Sequence, residues 1–291
     1  MNILSFDIEE WYLESIGSNR DSKYQQFDSL LSKILDNLDE LNIKATFFCV
    51  GKMGISFPQV INQIVKRGHE VGCHSNFHTW LNKMDEKTLR HDTIDAINAL
   101  KDASGQKVVS YRAPAFSITE NNKWAVNVLS DCGIENDASI FPAARDFGGY
   151  PSFPSDKPCI ISYQGTTIKE YPIGLMTSFG KKIAYSGGGY FRLIPYSIVN
   201  RVMKSRDYNI CYFHLADLIH EEQRMLTKAE YEDYFKEPGT LKNRLVRYAK
   251  SNVGTGDAYG KLVRLLSEHQ FVNIQEADKH IDWNEVKTVQ L

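Results

Sequence analysis

Short apolar runs alternate along this chain with longer segments in which apolar residues recur at helical spacing. Residues 2–7 and 45–50 each contain a short run rich in apolar residues, which predicts a buried strand. Between them, the apolar positions of residues 24–41 repeat every three or four residues, which predicts an amphipathic helix. Further strands are predicted at 70–73, 108–111, 210–213 and 271–274. This alternation predicts one barrel-like α/β domain that spans residues 1–291.

Residues 141–192 interrupt the alternation. Glycine, proline and aromatic residues surround two short β-prone runs at 159–163 and 167–171. The triple glycine at 187–189 lacks the following lysine and hydroxyl residue that a phosphate-binding loop needs. We therefore expect this region to be an insertion of hairpins and loops over the mouth of the fold, without a second domain.

The composition limits the classes of partner and compartment. Hydrophobic residues make up 42% of the 291 residues, enough for a substantial core. The formal net charge of −2 gives no electrostatic reason to expect nucleic acid or an anionic membrane as a partner. No signal-peptide pattern is seen at the N-terminus, and no apolar run approaches the roughly 20 residues of a membrane span. The five scattered cysteines lack paired spacing, so we expect reduced thiols in a cytoplasmic protein.

Polar side chains follow several of the predicted strands. An acidic cluster at 7–10 ends the first strand, and a histidine pair at 74 and 78 follows the third. Arg112 and His214 follow two later strands. Because the carboxyl ends of the strands in α/β folds line the functional site, we expect these side chains to lie close together.

The histidine pair and the acidic cluster together predict a metal site. His74 and His78 are four residues apart, and such positions share one face of a helical turn, so both imidazoles can face one ion. Along an extended strand, Asp7 and Glu9 point to the same side, whereas Ile8 points away. Two imidazoles and a carboxylate suit zinc, and also cobalt, nickel or iron. The pattern therefore predicts a hydrolase that depends on a divalent metal, with zinc expected first.

With these residues in hand, the sequence resembles the polysaccharide deacetylase family, the NodB-homology domain of carbohydrate esterase family four. The similar segments occur in the family's order over most of the chain, at 5–9, 45–51, 74–78, 112–114 and His214. The resemblance implies a distorted (β/α) barrel that removes N-acetyl groups from an amino-sugar-containing saccharide and releases acetate. The amino-acid sequence around these segments is similar to that of a subgroup associated with bacterial exopolysaccharide biosynthesis.

One position departs from the family's pattern. The first motif of the family usually has two adjacent aspartates, a general base and then a metal ligand, but Ile8 stands in the second place here. The resemblance therefore implies Asp7 as the base. Glu9 is the expected third ligand beside His74 and His78, and Asp7 is the alternative source of that carboxylate.

The resemblance implies three further roles in the reaction. Arg112 would orient Asp7 and keep it ionised, and His214 would protonate the leaving amine of the sugar. The backbone N–H of Ala115 would bind the oxyanion together with the metal. Asp217 is a candidate to orient His214 or Arg112, and it is equally a candidate for a helix cap.

Two rival interpretations stay open. The same fold hosts hydrolases of other linear or cyclic amides such as allantoin, and the replaced aspartate keeps that activity possible. A non-catalytic carbohydrate-binding member is the second alternative, although a decayed site would be expected to have lost at least one of these residues. An NAD-binding enzyme is disfavoured because no Gly-x-Gly-x-x-Gly follows any predicted strand. The oligomeric state is not predicted.

Overall fold

The fold is built around a nine-stranded, mostly parallel sheet. The computed structural model describes residues 1–14, 20–145, 148–178, 180–219, 224–235, 238–254 and 256–291. The strands, in chain order, are β1 (Asn2–Ile8), β2 (Thr46–Cys49), β3 (Glu70–Cys73), β4 (Ser110–Tyr111), β5 (Asn136–Asp137), β6 (Cys159–Tyr163), β7 (Thr166–Glu170), β8 (Leu175–Ser178), β9 (Lys181–Ala184), β10 (Asn209–His214) and β11 (Thr288–Gln290). The sheet order is β10-β1-β2-β3-β4-β5-β7-β6-β11, and every neighbouring pair is parallel except β6 with β7.

Helices cover the outer side of this sheet, as expected for strand–helix alternation. The helices of the described residues are α1 (Glu10–Glu14), α2 (Arg20–Glu40), α3 (Gly51–Ser56), α4 (Pro58–Lys66), α5 (Glu86–Ser104), α6 (Ala125–Asp131), α7 (Gly188–Leu193), α8 (Tyr196–Lys204), α9 (Lys228–Phe235), α10 (Leu241–Asn252), α11 (Ala258–Glu268) and α12 (Ile274–His280), of which α12 packs on the inner side. The Asp85 side chain caps the start of α5 by accepting from Thr88 N. Within the described residues, no helix is long and apolar enough to cross a membrane.

The sheet curves into a distorted barrel. Beyond β5, Ile173 N donates to Ile140 O over 2.9 Å, and the chain continues into the separate β8–β9 hairpin. On the far side of that hairpin, Tyr212 N of β10 donates to Ser186 O over 3.2 Å. Through these hydrogen bonds and the β8–β9 hairpin, the barrel continues from β5 to β10. The predicted α/β fold class is therefore confirmed.

The curved sheet has an inner and an outer face, and each face packs against a different cluster of apolar residues. The face on which a residue lies therefore determines where its side chain points. Along β1, Ile3 joins an inner cluster of apolar residues, whereas Leu4 and Ile8 join the larger cluster between sheet and helices. The alternation places Asp7 on the same inner side as Ile3. The inner face at the carboxyl ends of the strands is therefore where the polar groups meet.

Two details of the predicted fold are wrong. The runs near 159–163 and 167–171 do not lie over the mouth, because the β6–β7 hairpin joins the sheet itself and pairs with β11. The segment 271–274 makes only an isolated bridge, from Val272 to Ile3, and is not a strand. Asn273 caps α12 by accepting from Glu276 N at 2.7 Å, so the chain turns into a helix where a strand was expected.

Candidate active site

A loop directly after β3 carries the two histidines. The predicted shared helical face is wrong, since residues 74–80 form no helix, and Ser75 (φ 62°) and His78 (φ 55°) adopt left-handed backbone. Neighbouring elements hold the loop in this shape. Asn76 N donates to Asp92 Oδ2 at 2.8 Å, and Gly51 N donates to Ser75 O at 2.9 Å. The two rings meet because α3 and α5 anchor the loop.

Three potential ligands converge at this point. Glu9, one residue beyond β1, places Oε2 2.7 Å from His78 Nε2 and 3.4 Å from His74 Nε2. The donor atoms of all three residues lie within 4.8 Å of one another. Ile8 is fully buried on the helix side of the sheet, as expected from strand alternation.

The hydrogen bond on the far side of His74 indicates which ring nitrogen is free for a ligand. His74 Nδ1 lies 2.7 Å from the carbonyl oxygen of Arg112, which can only accept, so Nδ1 carries the proton. In the neutral ring, Nε2 then presents a lone pair towards the Glu9 carboxylate. The His74 Nε2 lone pair and the Glu9 carboxylate, both hydrogen-bond acceptors, then face each other. A cation bound between them would interact favourably with both. The donor set therefore fits a divalent metal ion.

Asp7 and Arg112 form a buried pair beside these ligands. Arg112 Nη1 donates to Asp7 Oδ1 over 2.7 Å and to Ser5 Oγ over 2.9 Å. Arg112 Nε donates to Ala138 O over 3.1 Å, and the guanidinium lies 4.3 Å from the centre of the Phe48 ring. The Arg112 side chain is fully buried. Because the guanidinium is held from several sides, it keeps the Asp7 carboxylate in one orientation.

His214 approaches the same carboxylates from the end of β10. Its Nε2 lies 3.8 Å from Asp7 Oδ2 and 3.9 Å from Glu9 Oε1. On the other side of the ring, Nδ1 lies 2.9 Å from Asp217 Oδ2. Arg192 Nη2 is in turn 3.6 Å from Asp217. The imidazole therefore faces the site with Nε2 and is oriented through Nδ1.

The charges within this cluster shift one another's pKa. Burial alone would raise the pKa of Glu9, but the charges of His78 and His214 hold it well below its ordinary value. Burial would lower the pKa of His78, and the Glu9 carboxylate reverses that effect. Glu10 is different, since burial and the neighbouring Glu9 charge raise its pKa to about 7.

Ala115 lies in the short turn Pro114–Phe116 that follows Arg112. It adopts left-handed backbone (φ 56°, ψ 18°), as does Phe116 (φ 54°). Consecutive residues of this kind are rare away from functional sites. The turn is closed by Phe116 N donating to Ala113 O over 3.0 Å. The oxyanion role of the Ala115 N–H stays a prediction.

Two supporting carboxylates were not assigned to the site from the sequence. Asp217 was weighed only as a candidate, and its position three residues after His214 was the available signal. Glu10 belongs to the acidic cluster of the first motif; its Oε1 accepts from Ala216 N over 2.9 Å. It thereby links the end of β1 to the turn that carries His214.

An open cluster of two histidines and a carboxylate at the carboxyl ends of barrel strands, with an acid–base pair beside it, is typical of hydrolytic metal sites. Residues 16–136 match the family model described as polysaccharide deacetylase. Residues 138–279 match a domain of unknown function, DUF3473. Over residues 16–136 the chain is therefore similar to the polysaccharide deacetylase family.

Curated relatives match part of the chain. A peptidoglycan-N-acetylglucosamine deacetylase of Bacillus cereus is 37% identical over 94 residues, which are 32% of this chain and 34% of the relative. A chitooligosaccharide deacetylase of Sinorhizobium fredii is 30% identical over 127 residues, or 41% of this chain and 57% of the relative. The chain thus spans about a third of the first relative's length and over half of the second's.

Solved structures extend the fold similarity over the whole chain. A candidate polysaccharide deacetylase from Mycobacterium smegmatis superposes with a TM-score of 0.65 at 17% identity, covering 100% of this chain and 92% of that one. A carbohydrate esterase family four pseudoenzyme from Bacillus anthracis gives a TM-score of 0.51 at 15% identity, covering 99% of this chain and 66% of that one. At these identities the similarity concerns the fold alone.

Proposed function

We propose that this protein is a metal-dependent hydrolase that removes N-acetyl groups from an amino-sugar-containing saccharide and releases acetate. One observation carries the proposal. Glu9, His74 and His78 converge within 4.8 Å, and His214, at the end of β10, lies 3.8 Å from Asp7 and 3.9 Å from Glu9. The names of the relatives, which are deacetylases of N-acetylated saccharides, support the same substrate class.

Glu9, His74 and His78 would hold the divalent metal, and we propose zinc as its identity. A divalent ion held there supplies a Lewis acid that lowers the pKa of water and polarises the amide carbonyl. The chain prepares this set in advance, because Arg112 O holds His74 by Nδ1 and leaves Nε2 free. The metal identity is not given by the donors alone, since cobalt, nickel and iron accept the same set.

Asp7 would act as general base, taking a proton from the attacking water. The Arg112 guanidinium, 2.7 Å away, orients it. The backbone N–H of Ala115 would stabilise the oxyanion that forms as water adds to the acetyl carbon. When the C–N bond breaks, His214 would give its Nε2 proton to the leaving sugar nitrogen. Asp217 would keep the ring in the orientation that makes this transfer possible.

Three finer proposals accompany the activity. We propose that residues 1–291 form one catalytic domain, because β5 lies in the middle of a continuous sheet although the two matched family regions meet there. We also propose a role in exopolysaccharide biosynthesis and a cytoplasmic location, which rest on the sequence patterns alone.

Acetate release from N-acetylglucosamine oligomers by the metal-loaded protein tests this activity. We expect Asp7→Asn to lower kcat by about 10²–10⁴-fold while metal content is unchanged, because the base is removed and the three ligands stay. Asp36→Asn, which alters an exposed pair with Arg67, is the matched control and should keep full activity. A metal-loaded wild-type protein that releases no acetate from these sugars would reject the saccharide substrate. It would favour another linear or cyclic amide, or a binding role.

A further inference from the structure

Helix α10 turns its apolar side towards solvent. Leu241, Leu245 and Val246 are 58%, 48% and 47% exposed, and Val253, just past the helix, is 51% exposed. With Tyr248, which is also exposed, these positions fall within one arc of about 160° when each residue advances by about 100°. This set is called the α10 apolar arc below.

The opposite side of α10 is polar and lies against the protein. Asn243 and Arg244 on this side are half-buried, whereas Lys242 and Asn252 fall within the angular range of the arc, and none of the α10 side chains that the structure describes is fully buried. Arg244 Nη1 donates to Leu226 O over 3.3 Å, and Asn243 Nδ2 donates to Pro238 O over 2.9 Å. A surface helix normally buries its apolar face and exposes its polar face. The reversed arrangement leaves the apolar arc without cover in the described structure.

The segment that carries this arc is positively charged in sequence, although the adjacent α9 contributes one lysine and three acidic residues. Residues 238–256 contain two lysines and two arginines and no acidic residue, a formal charge of +4. The whole chain carries −2, so the remaining residues carry −6. The low net charge therefore hides a local cationic segment. Two copies of this segment placed face to face would repel each other, which disfavours a second copy of the chain as the occupant.

We propose that α10 is a docking site for the surface of an anionic lipid membrane. An amphipathic helix whose charged residues are all lysine or arginine is typical of helices that lie in the headgroup region. Basic residues there are attracted by the negative surface potential of anionic lipids. The helix of 12 residues would lie parallel to the membrane plane, and no membrane-spanning segment is required.

The docking site is connected to the candidate active site. Gly254, which follows α10, packs so closely on the Arg192 backbone that an added Cβ would lie 2.7 Å from Arg192 O. Arg192 in turn reaches Asp217, the partner of His214. Docking through α10 would therefore hold the part of the candidate active site that contains Asp217 and His214 near the membrane surface.

Co-sedimentation of the full chain with lipid vesicles tests the proposal. Vesicles of phosphatidylcholine alone are compared with vesicles containing about one third phosphatidylglycerol, at low and high salt. We expect the wild type to bind only the anionic vesicles, and less at high salt. The double variant Leu245→Glu/Val246→Glu should bind at least about tenfold more weakly, and Lys242→Glu should also weaken binding.

Ile55→Glu on α3 is the matched control, since Ile55 is an exposed apolar residue outside the arc. It should bind like the wild type, and circular dichroism should show that all variants are folded. Absence of binding to anionic vesicles would overturn the proposal, as would equal binding by the Leu245→Glu/Val246→Glu variant. Self-association that this variant abolishes, without vesicle binding, would assign the arc to a contact between copies instead.

Discussion

Burial and the neighbouring carboxylates shift the pKa of His214 in opposite directions. Burial alone would lower the pKa, but the charges of Glu9, Asp217 and Asp7 raise it well above the ordinary histidine value. In the proposed role of general acid, His214 must be protonated, so activity should decline as pH rises through this pKa. The Asp217 carboxylate thus affects both the orientation and the working pH range of the ring.

We predict that Asp217→Asn lowers kcat by about 10–100-fold, as for other residues that orient an active group, with KM and metal content unchanged. The amide still accepts from Nδ1, but the negative charge is lost, so the pKa of His214 falls. The alkaline limb of the pH–activity profile should therefore move to lower pH. Asp131→Asn, in an exposed pair with Arg90, serves as the control. An unmoved alkaline limb would contradict the role given to Asp217.

At the residue scale, the sequence predicted positions that depend on strand alternation. Asp7 and Glu9 point to one side and Ile8 to the other, because β1 is extended up to Ile8. The pairing of Asp217 with His214 could not be predicted in the same way. It depends on the ring orientation of His214 and on the turn after β10, which tertiary contacts set.

The loop at residues 74–80 shows how much of the site depends on neighbouring elements. Its left-handed residues Ser75 and His78 cost conformational energy that the surrounding contacts must offset. Asp92 on α5 is one such contact, since its carboxylate accepts from Asn76 N in the middle of the loop. Asp92 itself is not among the three potential ligands.

We therefore predict that Asp92→Ala weakens metal binding by about 10–100-fold, the range typical of residues that orient ligands. Isothermal titration of the metal-free protein with zinc measures the change. Asp95→Ala, one turn further along α5 and exposed, should leave the affinity unchanged. Equal affinity in both variants would mean that the loop keeps its shape without Asp92.

At the element scale, periodicity predicted most helices and strands. It gave the wrong secondary structure where contacts between distant parts of the chain determine the conformation. The spacing of His74 and His78 is compatible with a helical turn. Contacts with α3 and α5 instead hold residues 74–80 in a loop. The apolar run at 271–274 suited a strand, yet the Asn273 cap starts α12 there. The β6–β7 hairpin was recognised, but its place in the sheet depends on pairing with the C-terminal β11.

For the whole molecule, His69 links stability to pH. Its Nδ1 accepts from Ala45 N over 3.3 Å, the ring packs on Phe47, and burial together with the Lys44 charge lowers its pKa to about 4. The unfolded chain has the ordinary value of about 6.5, so between these values it binds more protons than the folded chain. Stability therefore falls as pH decreases through this window.

We predict that His69 accounts for a loss of about 2 kcal/mol in the free energy of unfolding between pH 7 and pH 5. Urea unfolding at both pH values measures it. His69→Asn should reduce the pH dependence by that amount, because no imidazole remains to be protonated on unfolding. His280→Asn, at an exposed histidine, should not. The same pH dependence in His69→Asn and wild type would show that other groups are responsible.

The central claim is that Glu9, His74 and His78 hold a metal that the reaction needs, and elemental analysis of the purified protein tests it most directly. We predict about one divalent ion per chain in the wild type and in His91→Ala, an exposed histidine on α5. His74→Ala should lose the ion, and Glu9→Gln should bind it more weakly, with acetate release falling in parallel. No metal in any variant, or metal retained in full by both ligand variants, would contradict the account.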